Sequence, residues 1–530
     1  MSERPRGSIL ATSVLVTLAT IGVALVSFVN QQLIARLFGL SKETTAYGIA
    51  TNGPTLVSGV LAAALTYGMV PLLVRHRLED PEPERFMGAV LLRVTLAAAA
   101  LAILGVLVSG PLIEGLGRHG NLDEATLRLA HAVGIVSWAN VGLLVLLAHF
   151  SAVHDAAHRF LTTVLGSAGP YVGMILGGLL FGRSLGVLAV AGGMAAGTLG
   201  GVVFLGLRAR RETRFARPTA AQVASLAAFF RQAPAAIASV LIFTSFGFVD
   251  SFWAPRIDAY ALPTLGFGQR LLIAFGALVT SGPLAIITPR LAAALSEGRE
   301  DDFRHDAIRA LRLVVGFGGF IAGAVSVLAA PIVALLFQQG RFDADATARL
   351  AGVMPWMMAG MVPMLAVSLL FRAFYAKGWL GSTVALSFGT VGGYFALSDL
   401  LGGPFGTSGI AAGYAAVWTG ALLAALPLLW REHAREIVAA ANLRYGLALL
   451  TSLGVSIAGM AALARLILSA FETLNRLQIA LRIGVCGTAA LALFYVLSVR
   501  VFRLDEMGIV FGFFGRLAGK AFRRGAPKAR

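Results

Sequence analysis

A single cysteine, Cys486, stands in 530 residues, and it lies in an apolar run. One thiol makes neither an internal disulfide nor a multi-thiol metal cluster, so cysteine chemistry is not the basis of function. Charge is also scarce. Charged residues are 13% of the chain against 57% hydrophobic, where soluble domains carry roughly a quarter charged residues, and this excludes an ordinary soluble fold. No glycine-rich loop ends in Gly-Lys-Ser/Thr and no nucleophile elbow occurs, which argues against ATP coupling within this chain and against hydrolase chemistry. No acid, base and nucleophile set converges in the pattern, so the chain reads as a non-enzyme that needs no cofactor.

Long apolar stretches are abundant. They recur between short charged segments, each long enough to cross a hydrocarbon core of ~30 Å at ~1.5 Å per residue. Length and hydropathy predict fourteen crossings at about 9–38, 45–74, 86–116, 127–156, 160–182, 185–207, 222–253, 260–291, 306–338, 346–376, 381–402, 406–430, 445–470 and 477–502. The first is too long for a signal peptide and has no clear cleavage site, despite Arg4 and Arg6 before it. Alternate loops carry the Lys/Arg excess, as with Arg208, Arg210, Arg211, Arg214 and Arg217, then Arg299, Arg304, Arg309 and Arg312. Loops rich in Lys/Arg stay in the cytoplasm, so both termini are expected inside. The net charge of +17 sits at helix ends rather than on one face with aromatic partners, so nucleic acid is not an expected partner. From Met507 to Arg530, phenylalanines mix with Arg516, Lys520, Arg523 and Arg524. That pattern suits an interfacial helix attracted to anionic lipid, with a disordered basic tail as the other reading.

An internal repeat suggests the architecture. Gly110-Pro111-Leu112-Ile113 followed by Asp123-Glu124 is echoed by Ala330-Pro331-Ile332-Val333 followed by Asp343-Ala344-Asp345. The offset of about 220 residues corresponds to six helices, an even number, so the two halves share one orientation. The expected fold is all-α and membrane-embedded. Helices one to six (1–208) form an N-lobe, followed by a cytoplasmic linker (209–220), a C-lobe of helices seven to twelve (221–432), two appended helices (433–503) and a basic tail (504–530).

Charges within a bilayer are costly and usually face a cavity or a partner. Arg36, Arg93, Arg231, Arg270, Arg372 and Asp250 fall within or near helix ends. Arg36, Arg93, Arg231 and Arg372 lie close enough to the ends to snorkel. Arg270, with Gln269 before it, is ten residues into its segment, where a guanidinium fork suits a diphosphate. Asp250 is a candidate to hold that arginine, to titrate with a coupling ion, or to form a structural ion pair. Asn30, Gln31, Gln32 and Asn52 are candidate donors and acceptors for sugar hydroxyls, or interhelical hydrogen-bond glue. Pro54, Pro71, Pro170, Pro234, Pro283 and Pro363 predict kinks. Gly173-Met174-Ile175-Leu176-Gly177 and Gly193-Met194-Ala195-Ala196-Gly197 predict close helix packing. His154 and His158 have zinc-site spacing without the glutamate of the protease motif, beside Arg159 at an interface, and are read as plain polar residues.

Several stretches together resemble the MurJ/MviN family, the lipid II flippases within the superfamily that also holds polysaccharide flippases and multidrug exporters. They are Ala330 to Phe342 (APIVALLFQQGRF), Arg372-Ala373-Phe374-Tyr375-Ala376-Lys377-Gly378, Phe248-Val249-Asp250, Leu37-Phe38-Gly39 and Val70-Pro71-Leu72. The resemblance implies a bacterial inner-membrane flippase that carries an undecaprenyl-diphosphate-linked glycan outward, in contact with membrane lipids and with glycan-synthesis enzymes as possible partners. Departures are equally specific. The family's Ser-Arg and Arg-Asp pairs in the first helix correspond to Val23-Ala24 and Asn30-Gln31, and its Arg-x-Pro-Asn in the second to Asn52-Gly53-Pro54-Thr55. Arg270 survives, with Gln269 in place of an acidic neighbour. These losses favour a divergent member serving another lipid-linked saccharide, such as an exopolysaccharide precursor, alongside lipid II. A multidrug exporter, and a non-transporting scaffold for glycan synthesis, are the alternatives.

Overall fold

A computed structural model of the chain describes residues 6–80, 82–210, 241–281, 297–376, 378–437, 440–469, 476–508 and 511–512, with short pieces at 219, 222–224, 227 and 293–294. Arg211, Arg214, Arg217, Arg231, Pro234, Pro283 and the tail beyond 512 lie outside the described residues. What is described is almost entirely helical, and eleven of its helices are long and apolar enough to cross a membrane. Contacts divide the chain into two units, Met1–Pro263 with Phe337–Ala346, and Thr264–Leu336 with Thr347–Arg530.

The first unit holds α1 (Arg6–Phe38), α2 (Lys42–Ala64), α3 (Val70–Glu79), α4 (Pro83–His119), α5 (Glu124–Ala156), α6 (Phe160–Ser167), α7 (Gly169–Leu185), α8 (Val187–Ala209) and α9 (Phe246–Trp253). Its core is built where α3, α4, α5 and α8 meet, around Leu73, Phe86, Met87, Val90, Val94, Val141, Val145, Val153 and Leu205. Lipid tails are as apolar as these side chains, so close packing rather than water exclusion holds such helices together. The pair α7 and α8 shows the extreme case. A Cβ on Gly173 would lie 2.1 Å from the Gly193 carbonyl oxygen, and one on Gly197 2.1 Å from that of Gly169. Only hydrogen at these positions lets the two backbones touch.

Proline sets the breaks. Pro71 has no N–H to give residue 67 and its ring crowds that turn, and the wider π-turn Leu65–Met69 separates α2 from α3 there. Pro170 likewise follows the end of α6 by three residues, and α7 begins at Gly169.

The second unit holds most of α10 (Ala261–Ser281), α11 (Glu300–Leu313), α12 (Gly319–Val327), α13 (Ala329–Phe337), α14 (Ala344–Ala376), α15 (Leu380–Ile437), α16 (Ala440–Ser469) and α17 (Arg476–Tyr495). Helix α12 ends at Val327, the residue whose carbonyl Pro331 cannot bond. The 58 residues of α15 would stretch ~87 Å as one rod, far beyond a bilayer. They fold back instead at Gly406, whose φ is +62°. A Cβ on Gly409 would collide with the Leu401 carbonyl, one on Gly393 would lie 3.2 Å from Val417, and the rings of Tyr394 and Tyr414 are 6.1 Å apart. These pairs all sum close to one constant, the signature of an antiparallel hairpin, and they join the two stretches read from hydropathy as 381–402 and 406–430.

Beyond α17 the chain docks back onto its own unit. Arg312 donates to Glu506 at 2.7 Å and lies over the Tyr445 ring at 4.1 Å, while a Cβ on Gly316 would meet Met507 at 2.7 Å. Burial raises the pKa of Glu506, but hydrogen bonds from Arg312, its own backbone and Tyr445 outweigh it and leave the carboxyl below its ordinary value.

Candidate functional site

The candidate residues are divided between the units. Asn30, Gln31, Arg36, Asn52 and Asp250 belong to the first, Gln269 and Arg270 to the second. Asn52, on α2, is half-buried, and its amide nitrogen donates to the Gly247 carbonyl at 2.7 Å and to the Ser251 hydroxyl at 2.8 Å. It fastens α2 to α9. Asp250, beside Ser251, is buried at 1% exposure.

Asn30 faces elsewhere. It is fully buried, and its amide reaches only the Met174 sulfur on α7 at 3.5 Å. Its side-chain oxygen and that of Gln31 are buried acceptors with no donor among the described residues. Buried polar atoms are nearly always paired, which sets these two oxygens apart from the engaged amide of Asn52. Gln32 is taken by Gln339, whose amide donates to it at 3.4 Å. Arg36 is exposed at the end of α1, as are Arg93 on α4 and Arg372 on α14. Arg93 donates to the Ala89 carbonyl of its own helix at 3.2 Å. All three positions suit snorkelling cations.

Gln269 and Arg270 are half-buried on α10, between the buried Phe267 and the buried pair Leu271 and Leu272. The guanidinium carbon of Arg270 lies 5.6 Å from the Phe267 ring centroid. An aromatic face supports the flat cation from one side.

The two imidazoles at zinc-site spacing part company. His154 Nε2 donates to the Leu205 carbonyl at 3.0 Å, while exposed His158 lies past the helix end with φ of +55°. Ser251, Gln339 and the wholly buried His149, neither of whose ring nitrogens has a hydrogen-bond partner among the described residues, escaped the sequence reading. For His149 the signal was present, an imidazole in an apolar helix, and Gln339 lay within the stretch Ala330 to Phe342 that carries the family resemblance; for Ser251 no local signal existed.

One rim of the first unit is built twice. At one corner, between α13 and α14, Gly340 (φ +59°) lies so near the end of α1 that a Cβ on it would be 2.3 Å from the Arg36 carbonyl oxygen. Reciprocally, a Cβ on Gly39 (φ +61°) would be 2.3 Å from the Arg341 carbonyl oxygen. The Arg341 N–H donates to the Arg36 carbonyl at 3.0 Å, and the Arg341 guanidinium to Glu43 at 3.2 Å. Phe28, Phe337 and Phe342 pack beneath. At the other corner, between α4 and α5, a Cβ on Gly120 would meet the Pro255 ring at 2.6 Å, just past α9. His119 there stacks on Phe252 at 4.0 Å, Lys42 pairs with Asp123 at 2.9 Å, and the Thr45 hydroxyl donates to the Ala259 carbonyl. A cavity of about 280 Å³ opens between Lys42, Gly120, Asp123, Pro255 and Arg256. The Lys42 hydrogen bond, with Thr126, holds the Asp123 carboxyl down at about 2.

The model of the family described as lipid II flippase MurJ matches residues 34–504. The chain belongs to this family. Its fold resembles that of a solved lipid II flippase MurJ in an inward closed conformation, with a TM-score of 0.75 at 16% identity, covering 92% of this chain and 99% of that one. An inward-facing multidrug resistance MATE family transporter of the MOP superfamily is similar at 0.55 and 18%, covering 78% and 100%. A MOP superfamily transporter from Pyrococcus furiosus is similar at 0.53 and 13%, covering 78% and 94%. At these identities the structural likeness speaks of fold alone. The family places the chain among multi-pass membrane transporters.

Proposed function

We propose that the chain is an ATP-independent flippase that moves an undecaprenyl-diphosphate-linked saccharide from the inner to the outer leaflet of the bacterial inner membrane. It works by alternating access of two six-helix lobes, 1–208 and 221–432, joined by 209–220. Helices thirteen and fourteen (433–503) and a cytoplasmic tail (504–530) complete fourteen crossings with both termini inside. The observation that carries this reading is Arg270, a half-buried guanidinium ten residues inside an apolar helix of a chain in this family. A guanidinium fork suits a diphosphate, which offers two sets of acceptors for parallel charge-assisted bonds.

Arg270 neutralises the diphosphate, with Gln269 beside it. The orphaned oxygens of Asn30 and Gln31 accept from sugar hydroxyls, Arg36 binds at the rim, and Asn52 contributes by holding α2 and α9 in register. Asp250 balances charge or carries a coupling ion. Asn30, Gln31 and Asn52 stand where the family has cationic groups, which favours a substrate whose head group needs hydrogen bonds more than charge, such as an exopolysaccharide precursor, ahead of lipid II.

Complementation of a bacterium depleted of its own lipid II flippase, at matched membrane expression, separates these substrates. Rescue by the native protein and not by Arg270→Ala assigns lipid II. No rescue, with flipping of another polyprenyl-diphosphate saccharide in proteoliposomes that Arg270→Ala abolishes, assigns the exopolysaccharide class. Flipping unaffected by Arg270→Ala removes the arginine from the site, and no flipping of either lipid favours the exporter or scaffold readings.

A further inference from the structure

The two corners of the rim stand in the relation of the internal repeat. Pro111 and Pro331, Gly120 and Gly340, Asp123 and Asp343 are each 220 residues apart, and the residues that the two glycines touch, Arg36 at the end of α1 and Pro255 after α9, are 219 apart. Asp123 caps α5 through the Thr126 N–H at 3.2 Å, and Asp343 caps α14 through the Ala346 N–H at 2.8 Å. Each corner therefore leans on the first helix of the opposite repeat. The corner between helices three and four meets the end of helix seven, and the corner between helices nine and ten meets the end of helix one.

We propose that these crossed corners form the outer gate of the protein, and that the Gly39–Gly340 contact is its latch. The inference rests on the flippase reading and its two lobes, and adds to it the residues that close the outer side. Positive-inside topology puts both corners on the outer face. The segment 337–346 is covalently continuous with α13 and α14, so any displacement of those helices from α1 must pull on it. The latch is of a kind that releases sharply. Backbone meets backbone through two glycines, and a movement of about 1 Å takes the 3.0 Å Arg341–Arg36 hydrogen bond out of range. Its ion pair is exposed at 55% and 36%, where such pairs hold little. Tightly packed contacts of this sort have two arrangements rather than a continuum.

The Lys42–Asp123 pair supplies the contrast, because both residues lie within one proposed lobe and their separation does not change when the lobes rock. The test uses two paired-cysteine proteins on a Cys486→Ser background, Glu43→Cys with Arg341→Cys and Lys42→Cys with Asp123→Cys. Each is reconstituted in proteoliposomes and bridged by a short bifunctional methanethiosulfonate, with bridging read as loss of maleimide-polyethylene-glycol labelling. Flipping of a polyprenyl-diphosphate saccharide is then followed before and after reductant. The 43–341 bridge is expected to slow flipping at least tenfold and reductant to restore it, while the 42–123 bridge leaves the rate within twofold. Full flipping by the bridged 43–341 protein overturns the latch and leaves the flippase reading intact, and equal slowing by both bridges overturns it as well. If the reduced proteins and the native chain flip nothing, the flippase reading falls and takes the latch with it.

Discussion

The two corners of the rim share a sequence pattern and differ in what seals them. At the first, Pro111 sits inside an unbroken α4 that runs to His119, Gly120 keeps an ordinary φ of −88°, and Asn121 takes the left-handed turn at +52°. Side chains do the sealing, through His119 on Phe252 and Pro255 under Gly120, and they leave a cavity of about 280 Å³. At the second, the helix breaks after Val327, α13 is a short separate piece, and glycine itself takes the left-handed turn. There the backbone of one segment lies directly on the other. A proline-to-aspartate spacing kept across both repeats thus fixes where each corner turns, whereas the residue placed at positive φ decides whether it can be pressed flat against its neighbour.

The comparison breaks most visibly at the glycines. Gly340→Ala adds a Cβ 2.3 Å from a backbone carbonyl at a positive φ that alone costs an alanine about 1–2 kcal/mol. It is expected to raise labelling of a cysteine at Phe342, now 1% exposed, by an impermeant maleimide at least tenfold. Gly120→Ala puts its Cβ 2.6 Å from the Pro255 Cβ and 3.3 Å from the Leu116 carbonyl oxygen at an ordinary negative φ, and at the other corner it is expected to change the labelling of the same site less than twofold. Equal effects would show that the corners are sealed alike.

A second contrast, of about 1 kcal/mol, separates two asparagines of the candidate site. Asn52→Ala removes two hydrogen bonds between α2 and α9, and should lower the thermal unfolding midpoint in detergent. Asn30→Leu removes one weak contact to sulfur and an unsatisfied oxygen, and should leave that midpoint unchanged while slowing transport. Smaller still is the ion pair of the second corner. Arg341→Gln keeps the backbone hydrogen bond and loses a largely exposed pair worth at most about 1 kcal/mol, so only a slight, salt-dependent rise in labelling at position 342 is expected.

Acid sharpens the first corner. The folded Asp123 carboxyl, held at about 2, titrates below the ordinary aspartate value of about 3.9. Its contribution is fully present above about pH 4 and is lost as pH falls from there towards 2. Hydrogen exchange of the Thr126 amide, which Asp123 accepts from, should quicken relative to amides further along α5 across that window, and Lys42→Gln should flatten the change.

Much of the fold was legible because a bilayer imposes length and polarity on each segment independently of the rest. The stretch read as 86–116 is observed as Pro83–His119, and 127–156 as Glu124–Ala156. The glycine pairs of α7 and α8 were equally readable, because small residues four apart have few other uses in an apolar helix. Partners were not readable. Asn52 looked like a residue for sugar, yet its amide is committed to Gly247 and Ser251, 195 and 199 positions away. Arg36 drew notice as a cation, while the part of it that makes the closest contact is its carbonyl oxygen.

By itself the sequence determined the membrane-embedded class, the positions of most helices, the 220-residue repeat and the family, because hydrophobic length, charge placement and short motifs are local properties. Only the tertiary structure decided which glycines touch, which amides are already engaged, and that each repeat's corner rests on the first helix of the other. Those are contacts between segments hundreds of residues apart, and their energy depends on shape complementarity that no local pattern encodes.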